Sequence, residues 1–469
     1  MFIKQLYTGC LSEAAYYIES NGEAAVIDPL RDIDVYLEMA NERKAKIKYI
    51  FETHFHADFV SGHIDLSKAT GAPIVYGPGT ETKFPVHIAK DKEIFHVGEL
   101  TIEVMHTPGH TLESSCYLLK DGSGINHCVF TGDSLFVGDV GRPDLAQKGA
   151  EITMNDLAGM MYDSLHNKII PLADDVIVYP AHGPGSSCGK NLGPNTFSTI
   201  GEEKKFNYAL KASGKDEFIK LVTDGIAPPP LYFPINARIN KEGYESLDNV
   251  LINGMKALSV NQFKELLTAD TILLDTRNAT DFTQGFVPGS INIGLEGRYA
   301  EWAGALLSFE KPMLLVTDPG KEKESIVRLA RVGFEKVQGF LAGGFDSWKK
   351  ESQEIDLIID VEPDELLMDI PHDEHLLVLD VRKPSEFAEG HLRNAINLPL
   401  NDITDPGKLA NIEENQNLYV HCAGGYRSVI AASLLKKQGI HNIRNVVGGW
   451  NQIKTLEKID IVKESAVLN

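Results

Sequence analysis

The stretch 53–59 holds two imidazoles and one carboxylate, those of His54, His56 and Asp58, within five positions. Imidazole and carboxylate are ligands that borderline divalent metals prefer. The apolar run 47–51 directly before it predicts a short buried strand, so the stretch begins where a strand ends. A loop at a strand end can bring side chains together, and such loops often carry function. The stretch therefore predicts a metal site.

Three later segments place further ligand-type side chains after strand-like runs that end at Gly or Pro. These side chains are His110, Asp133 and His182. Each of them alone is weak evidence, but four such segments within one region predict a single shared site.

Two ligand sets are open on residue types alone. His54, His56 and His110 could hold zinc with an activated water, which is hydrolase chemistry. His54, His110 and Asp133 instead form the two-histidine, one-carboxylate set of non-haem Fe(II) oxygenases, which leaves positions for substrate and O2. In the second case three residues would orient ligands or waters from outside the coordination sphere: His56, Asp58 and His182.

Length and charge limit the function classes. A chain of 469 residues predicts about three domains. Its formal net charge of −21 argues against binding a nucleic-acid backbone. No apolar run approaches the roughly 20 residues of a membrane span, and no secretory signal is expected. Five scattered cysteines predict free thiols and a cytoplasmic protein.

An internal repeat follows the first region. Leu273–Arg277 recurs as Val378–Arg382, and Gly343–Phe345 recurs as Gly448–Trp450, at one constant offset of 105 positions. Each copy alternates β-rich and helical runs, which predicts parallel α/β domains. The predicted domains are 1–240, 252–350 and 358–462. Prolines 228–230, followed by Phe233 and Pro234, predict a stiff exit from the first of them.

The second copy carries a nucleophile motif. Cys422 opens a loop formed by Ala423, Gly424, Gly425 and Tyr426 and closed by Arg427. The glycines allow backbone N–H groups to point inward, and the start of the next helix favours a thiolate. Arg427 could bind an incoming oxyanion. In the first copy Asp318 is predicted to stand near the place of Cys422, so that copy, here called the silent copy, is predicted to lack catalysis.

The ligand segments of the first domain, in their order, resemble the metallo-β-lactamase superfamily. The resemblance implies a four-layer αββα sandwich with the metal at the sheet edges. The two-metal members continue their motif with His, whereas Phe59 stands at that position and cannot ligate. One metal per chain is therefore expected. Gly141–Asp144 resembles the Gly-Arg-x-Asp segment of persulfide dioxygenases, iron enzymes of this superfamily, which implies that Arg142 and Asp144 lie at a thiol-bearing substrate. The alternative is a loop ion pair between them.

Residues 358–462 resemble rhodanese sulfurtransferases, which implies that Cys422 carries sulfane sulfur as a persulfide. The resemblance also implies that Asp380 and Arg382 are scaffold residues. Cys188, which follows His182 in sequence, is a candidate sulfur relay whose pKa Lys190 could lower, and an inert thiol is the alternative.

The domain order resembles the persulfide dioxygenase–sulfurtransferase fusions of bacterial sulfide detoxification. This implies one Fe(II) per chain, with zinc as the alternative, and O2 as co-substrate. The implied path oxidises a small thiol persulfide to sulfite and then joins sulfite with sulfur on Cys422 to give thiosulfate. The thiol could be glutathione, coenzyme A, bacillithiol or hydrogen polysulfide, and a homo-oligomer, dimer or tetramer, is expected. Two alternatives are a mononuclear zinc thioester hydrolase of glyoxalase II type fused to a rhodanese, and a scaffold that only presents the rhodanese.

Overall fold

The structure, a computed structural model, describes residues 1–147, 151–410, 412, 415–457 and 459–464. The chain divides into two compact units. The first comprises Met1–Leu247 with Ala330–Gly333, and the second comprises the remainder from Asp248 onward. The domain limits 1–240, 252–350 and 358–462 stay predictions. Among the described residues, none of the helices has the length and apolar character needed to cross a membrane.

Two six-stranded sheets form the centre of the first unit. The first sheet contains, in spatial order, Phe2–Thr8, Glu13–Ser20, Glu23–Ile27, Lys46–Phe51, Ile74–Tyr76 and His87–Ile88. The second contains Ile94–Val97, Leu100–His106, Ser115–Lys120, Asn126–Gly132, Ile177–Pro180 and Ser198–Thr199. Buried side chains from both sheets, including Tyr16, Phe51, Val104, Tyr117 and Phe130, belong to one apolar cluster. The two sheets therefore share a core, as in a β-sandwich.

Helices cover the outer faces of both sheets. The helices of this unit are Asp34–Glu42, His63–Thr70, Met154–Ser164 with the π-helical turn Leu165–Ile169, Ile200–Phe206, Lys215–Thr223 and Phe233–Glu242. Tyr36 and Leu66 pack with strand residue Val26, and Met161 and Phe218 pack with strand residue Val129. The predicted αββα sandwich is confirmed.

The segment after the three prolines differs from its prediction. Phe233 and Pro234 were expected in a stiff exit, but they begin the helix Phe233–Glu242. Proline favours the first helical turn because its missing N–H would have no partner there and its φ is already helical. The helix belongs to the first unit and forms a hydrogen bond to the backbone of His56.

The second unit contains two five-stranded sheets with the same strand order, and every pair in them is parallel. The silent copy contributes Ala257–Leu258, Val337–Leu341, Met313–Val316, Ile272–Asp275 and Ile291–Asn292. The other contributes Ile359–Val361, Ile443–Val446, Asn417–His421, Leu376–Asp380 and Ile396–Asn397, beside a small pair of His391–Leu392 with Ile461–Val462. The predicted parallel α/β architecture of both copies is confirmed.

Helices connect the strands of these sheets. In the silent copy and before it they are Leu247–Gly254, Val260–Leu266, Ala279–Thr283, Tyr299–Leu306, Glu322–Ala330 and Gly344–Lys350. In the other copy they are Pro363–Asp369, Pro384–Glu389, the 3-10 turn Leu400–Asp402, Pro406–Leu409, Tyr426–Lys437 and Gly449–Ile453.

A buried ion pair at one strand end recurs in both copies. Arg382 donates two nitrogens to Asp380 and Nη2 to the Gly390 carbonyl, while Asn397 donates to the carbonyls of Asp380 and Arg382. The silent copy repeats each of these bonds with its own residues, Asp275, Arg277, Gly285 and Asn292. The network holds a strand end and its loop together, which agrees with a scaffold role for Asp380 and Arg382.

The register of the two sheets corrects one alignment. Asp275 pairs with Val316, and Asp380 pairs with His421. Val316 therefore matches His421, and Thr317, not Asp318, matches Cys422. Asp318 was misplaced by one residue, and the constant offset of 105 positions gives the same match of Thr317 with Cys422 as the register does. The silent copy still has no thiol at this place, since a threonine hydroxyl stands there.

Candidate functional site

Three side chains converge at the ends of three strands of the first unit. His54 follows the strand Lys46–Phe51, while His110 and Asp133 follow Leu100–His106 and Asn126–Gly132. Asp133 Oδ2 lies 3.3 Å from His110 Nε2 and 3.8 Å from His54 Nε2. These three buried atoms have no hydrogen-bond partner among the described residues. Two atoms that each lie about 2.1 Å from one ion are about 3.0–3.5 Å apart at near-octahedral or tetrahedral angles. The 3.3 Å separation lies within this range and the 3.8 Å separation lies slightly above it, so the three atoms surround a space close to that of one coordinated ion.

Neighbouring groups fix the tautomers of both histidines. Thr53 Oγ1 donates to Asp28 Oδ2 at 2.8 Å and so accepts from His54 Nδ1 at 3.0 Å. His110 Nδ1 lies 2.9 Å from the Arg142 carbonyl oxygen, which can only accept. Both rings thus carry their proton on Nδ1 and direct an Nε2 lone pair toward the site. Such outer partners orient metal ligands and raise their basicity.

The protonation states also suit a metal. Burial lowers the pKa of His54 and of His110, so both rings are neutral. Burial alone would raise the pKa of Asp133, but the charge of His182 and its hydrogen bond to Oδ1 lower it, so the carboxylate is ionised. Neutral imidazole and ionised carboxylate are the ligand forms that metals require.

Glycine at position 141 permits the close approach of two ligand segments. A Cβ at Gly141 would lie 2.0 Å from the Asp133 carbonyl oxygen and 2.9 Å from His110 Nδ1. Both distances are too short for any side chain. The glycine before Arg142 is therefore needed for the geometry of two of the three ligands.

His56 faces away from these ligand atoms. Its Nε2 lies 3.1 Å from Asp28 Oδ1 and 3.6 Å from Glu52 Oε2, and its ring packs on the ring of Phe59 with centroids 4.3 Å apart. Phe59 is fully buried. This arrangement agrees with the prediction that His56 supports the site without being one of its three ligands.

Asn240 holds the same motif from a distant helix, and sequence reasoning missed it. Asn240 Nδ2 donates to the carbonyls of His56 and Phe59 at 2.8 and 2.7 Å, and its Oδ1 accepts from the Ser61 N–H at 2.9 Å. A buried amide with three bonds to one loop fixes that loop. The only signal for Asn240 in the sequence was its polar side chain on the buried face of a helix that starts with proline.

His182 bridges the two carboxylates of the site. Its Nδ1 lies 2.7 Å from Asp133 Oδ1, and its Nε2 lies 2.7 Å from Asp58 Oδ2. Burial would lower the pKa of His182, but Asp133 and Asp58 raise it well above the ordinary value. Both nitrogens are then protonated and cannot ligate. The predicted supporting role of Asp58 and His182 agrees with this geometry.

Arg142 and Asp144 form the loop ion pair that was weighed as the alternative to a substrate contact. Arg142 Nε and Nη2 donate to the two Asp144 oxygens at 2.7 and 2.8 Å. The guanidinium also donates to the carbonyls of Ser187 and Ala227 at 3.1 and 2.6 Å. Arg142 is buried and joins three loops, and its carbonyl orients His110. A contact with substrate stays a prediction.

Cys188 lies in this site, within 4.8 Å of ligand-type atoms of Asp58 and His182. The expectation that Lys190 lowers its pKa is wrong. Lys190 Nζ donates to the carbonyls of Leu221 and Asp224, and burial together with Asp58 and Asp133 raises the pKa of the Cys188 thiol. All five cysteines are free, as predicted.

The Cys422 loop lies in the second unit, between the strand Asn417–His421 and the helix Tyr426–Lys437. The Gly425 N–H donates to Cys422 Sγ at 3.1 Å, and Gly425 has a φ of +102°, which glycine adopts easily. Ser428 Oγ lies 3.7 Å from the same sulfur. The predicted inward-pointing amide is confirmed for Gly425.

The remaining loop residues differ in what they contact. Arg427 donates both terminal nitrogens to Glu386, at 2.7 and 2.8 Å, so its guanidinium is paired. Tyr426 turns its hydroxyl to the Gly294 carbonyl of the silent copy at 2.8 Å. Ala423 and Gly424 are partly or fully exposed and remain accessible to a ligand. Glu386 was missed because its position three residues after Lys383 suggests an ordinary helix start.

Comparisons with known proteins agree with this architecture. The sequence family described as Metallo-beta-lactamase superfamily matches residues 8–182. The family described as Rhodanese-like domain matches residues 259–351 and 362–456. The crystal structure of a metallo-beta-lactamase from Staphylococcus aureus subsp. aureus COL is 30% identical, with a TM-score of 0.64, and the match covers 73% of this chain and 98% of that one.

Two kinds of named relative match the first unit. Persulfide dioxygenase ETHE1, mitochondrial, of Homo sapiens is 30% identical over 210 residues, 44% of this chain and 74% of the relative. The probable hydroxyacylglutathione hydrolase glo2 of Schizosaccharomyces pombe is 32% identical over 206 residues, 39% of this chain and 75% of the relative. Similarity alone does not separate an oxygenase from a hydrolase, so the geometry of the site must do so.

Proposed function

Because the chain belongs to the metallo-beta-lactamase superfamily and carries two rhodanese-like domains, we propose that it is a persulfide dioxygenase joined to a thiosulfate-forming sulfurtransferase. The first unit would oxidise the terminal sulfur of a small thiol persulfide to sulfite. The Cys422 domain would combine sulfite with a second sulfane sulfur. The physiological role would be removal of sulfide and persulfide.

One observation carries the oxygenase assignment: the site offers two neutral imidazoles and one carboxylate to a single ion, and in the neighbouring group of Asp58, His182 and Cys188 the imidazole is engaged by two carboxylates. Phe59 replaces a possible ligand, and His182 has both nitrogens bonded to Asp58 and Asp133. The set of His54, His110 and Asp133 is that of mononuclear non-haem iron oxygenases, which keep open positions for substrate and O2. We therefore propose Fe(II), one per chain, with O2 as co-substrate.

The overall oxidation balances with water. One persulfide, one O2 and one water give one thiol, one sulfite and two protons. Ferrous iron, when bound, supplies the reaction with O2 that side chains cannot supply. The chain's residues present Nε2 lone pairs through the bonds to Thr53 and the Arg142 carbonyl. The imidazolium of His182 holds the Asp133 carboxylate in place from its far side.

Sulfur transfer uses Cys422 as the nucleophile. Its thiolate attacks the outer sulfur of a persulfide, the sulfur–sulfur bond breaks, and the electron pair leaves with the thiol. The lone pair of sulfite then attacks the outer sulfur now on Cys422, giving thiosulfate, a proton and the thiolate. The Gly425 amide, 3.1 Å from Sγ, stabilises the thiolate in both steps. Arg427 stands beside this loop as the cation for the incoming anion.

The substrate is proposed by class only. Glutathione, coenzyme A, bacillithiol and hydrogen polysulfide persulfides all offer the same terminal sulfur. Arg142 and Asp144 are proposed to contact the substrate, and Cys188 is proposed as a sulfur relay.

The free cysteines agree with a reducing compartment such as the cytoplasm. We propose a dimer or tetramer in analogy to the fusion family.

A zinc thioester hydrolase is the second candidate, supported by the 32% identity to a probable hydroxyacylglutathione hydrolase. A hydrolase would use zinc to activate water. Its connection to a sulfurtransferase domain would be without chemical purpose. The position of His56, which faces Asp28 and Glu52, also removes the third imidazole that the zinc set would need.

Metal content and O2 uptake test the proposal together. The full chain, prepared anaerobically with added Fe(II), is expected to bind one iron and to consume O2 with glutathione persulfide as substrate. In Cys422→Ser the O2 uptake is expected to persist while the product changes from thiosulfate to sulfite. One zinc per chain, no O2 uptake and rapid hydrolysis of a glutathione thioester would establish the hydrolase instead.

A further inference from the structure

The side chain of Tyr426, in the Cys422 loop, is held by the silent copy. Its hydroxyl donates to the Gly294 carbonyl at 2.8 Å. Burial raises the pKa of this phenol, so it keeps the proton that it donates. The two copies lie in the same compact unit. Tyr426 therefore links the catalytic loop of one copy to a loop of the other.

The receiving loop has no side chain where the ring lies. A Cβ at Gly297 would lie 2.4 Å from Tyr426 Cζ and 2.7 Å from its Cε2, and one at Gly294 would lie 3.4 Å from Cε2. The repeat offset places Pro399 and Asp402 at the corresponding positions of the other copy. The silent copy thus has glycine at both places where Tyr426 requires space.

The receiving loop is itself fixed within the silent copy. Arg328 is buried and donates Nη1 to the Leu295 carbonyl and Nη2 to the Gly297 carbonyl, at 2.5 and 3.1 Å. Arg328 lies on the helix Glu322–Ala330, which follows the position that matches Cys422. In the silent copy, the helix that follows the position of the catalytic cysteine therefore holds the loop that contacts Tyr426.

A second contact fixes the helix that begins at Tyr426. Ser433 Oγ, two turns along, accepts from the Asn292 N–H of the silent copy at 3.1 Å. The start of this helix and its middle are thus both attached to the silent copy. The loop before it contains Gly424 and Gly425, which have little conformational preference of their own. The N–H groups of Trp450 and Asn451 hold the first half of this loop by donating to the Cys422 and Ala423 carbonyls. The contacts of Tyr426 hold its end.

We propose that the silent copy acts as a positioning element for sulfur transfer, in which Gly294 and Gly297 anchor Tyr426 and thereby hold the Gly425 amide on Cys422 Sγ. Tyr426 is a positioning residue and does not itself touch the reacting sulfur. The proposal rests on the sulfurtransferase function proposed above. It assigns a role in catalysis to a copy that has no thiol of its own.

The variant Gly297→Ala tests this without altering the catalytic loop. Gly297 has no left-handed φ, so alanine suits its backbone, and the three atoms nearest its Cβ would all belong to the Tyr426 ring. In the full chain we expect sulfur transfer from thiosulfate to cyanide to fall about tenfold in kcat, with KM nearly unchanged. We also expect the pH profile for alkylation of Cys422 by iodoacetamide to move to higher pH, since the Gly425 amide no longer stabilises the thiolate.

Two further variants separate positioning from simple loss of stability. Tyr426→Ala should reproduce the effect, and the double variant Gly297→Ala with Tyr426→Ala should be no worse than Tyr426→Ala alone. Tyr426→Phe keeps the ring but loses the bond to the Gly294 carbonyl, so its activity should lie between those of Tyr426→Ala and wild type. The proposal would be overturned if Gly297→Ala lowered the activity by the same factor in the wild-type chain and in the Tyr426→Ala chain. It would also be overturned if Gly297→Ala left the alkylation profile unchanged. If wild-type protein transfers no sulfur, the proposed function fails, while the alkylation profiles still decide the positioning role.

Discussion

The His182 ring lies between the carboxylates of Asp58 and Asp133, with 2.7 Å to each. This arrangement encloses an imidazole ring between two buried carboxylates. It also creates a buried cation that depends on two anions. The stability of this cluster therefore depends on pH.

In metal-free protein, His182→Gln should destabilise the fold most at low and neutral pH. The pKa of His182 is raised in the folded state, so its contribution to stability is complete below the unfolded value of about 6.5. It is lost as pH rises through the higher folded value. Urea unfolding with chelator present should show the difference from wild type shrinking in alkaline solution. His96→Gln, at an exposed ring, should show no such trend, and a pH-independent difference for His182→Gln would contradict the imidazolium.

Gly141→Ala should weaken metal binding without removing a ligand. The new Cβ would meet the Asp133 carbonyl at 2.0 Å and His110 Nδ1 at 2.9 Å, so both ligand segments must move. Disturbing such supporting geometry typically lowers metal affinity about 10- to 100-fold. Competition with a chelator measures it. Gly9→Ala is the matched control, since a Cβ there meets nothing within 4 Å. Unchanged affinity in Gly141→Ala would show that the His110 segment is not part of the metal site.

Asn240→Leu should destabilise the first unit by about 2–4 kcal/mol, because it leaves two carbonyls and the Ser61 N–H without their partner. Asn236, one turn earlier, is equally buried, but its side chain has no hydrogen-bond partner among the described residues. Asn236→Leu should therefore cost far less. Denaturant unfolding measures the free energy of unfolding of both variants. Equal losses of stability would mean that the bonds from Asn240 to residues 56–61 contribute little.

Glu386→Gln should increase the affinity of the Cys422 loop for anions. Arg427 gives both terminal nitrogens to the Glu386 carboxylate, and a neutral amide would hold it less strongly. We expect KM for sulfite to fall about threefold or more as the guanidinium turns to the anion. Glu389→Gln removes an exposed charge from the same helix and serves as the control. A raised KM in Glu386→Gln alone would mean that the pair holds Arg427 in its productive position.

A thiol placed in the silent copy should not restore activity. Thr317→Cys in a Cys422→Ser background puts this thiol at the matching register position. Pro319, which matches Gly424, has no N–H to offer, and Asp318 repels an anion. Gly320, which matches Gly425, keeps its N–H. After incubation with thiosulfate, mass analysis of this double variant should find no more added sulfur than in Cys422→Ser alone. Sulfur loading at position 317 would show that the loop of the silent copy is intact.

Sequence reasoning predicted those features that local pattern determines. His54, His110 and Asp133 are ligand-type residues after strand-like runs, and the repeat of Asp275–Arg277 in Asp380–Arg382 predicts a duplicated fold. Two features required the structure. Asn240 acts over 180 residues of chain, and Glu386 holds Arg427 across two elements. The offset of 105 positions already matches Thr317 with Cys422, and the sheet register confirms that match. Side chains that meet through tertiary packing leave no periodic trace in the sequence.

The three side chains proposed as metal ligands come from two different sheets, since His54 extends the first sheet, and His110 and Asp133 extend the second. An ion held by all three would join the sheets at one edge as a covalent cross-link would. It could bind only after both sheets had formed and would leave when either one opened. The fraction of chains that retain the ion would then report the integrity of the whole sandwich.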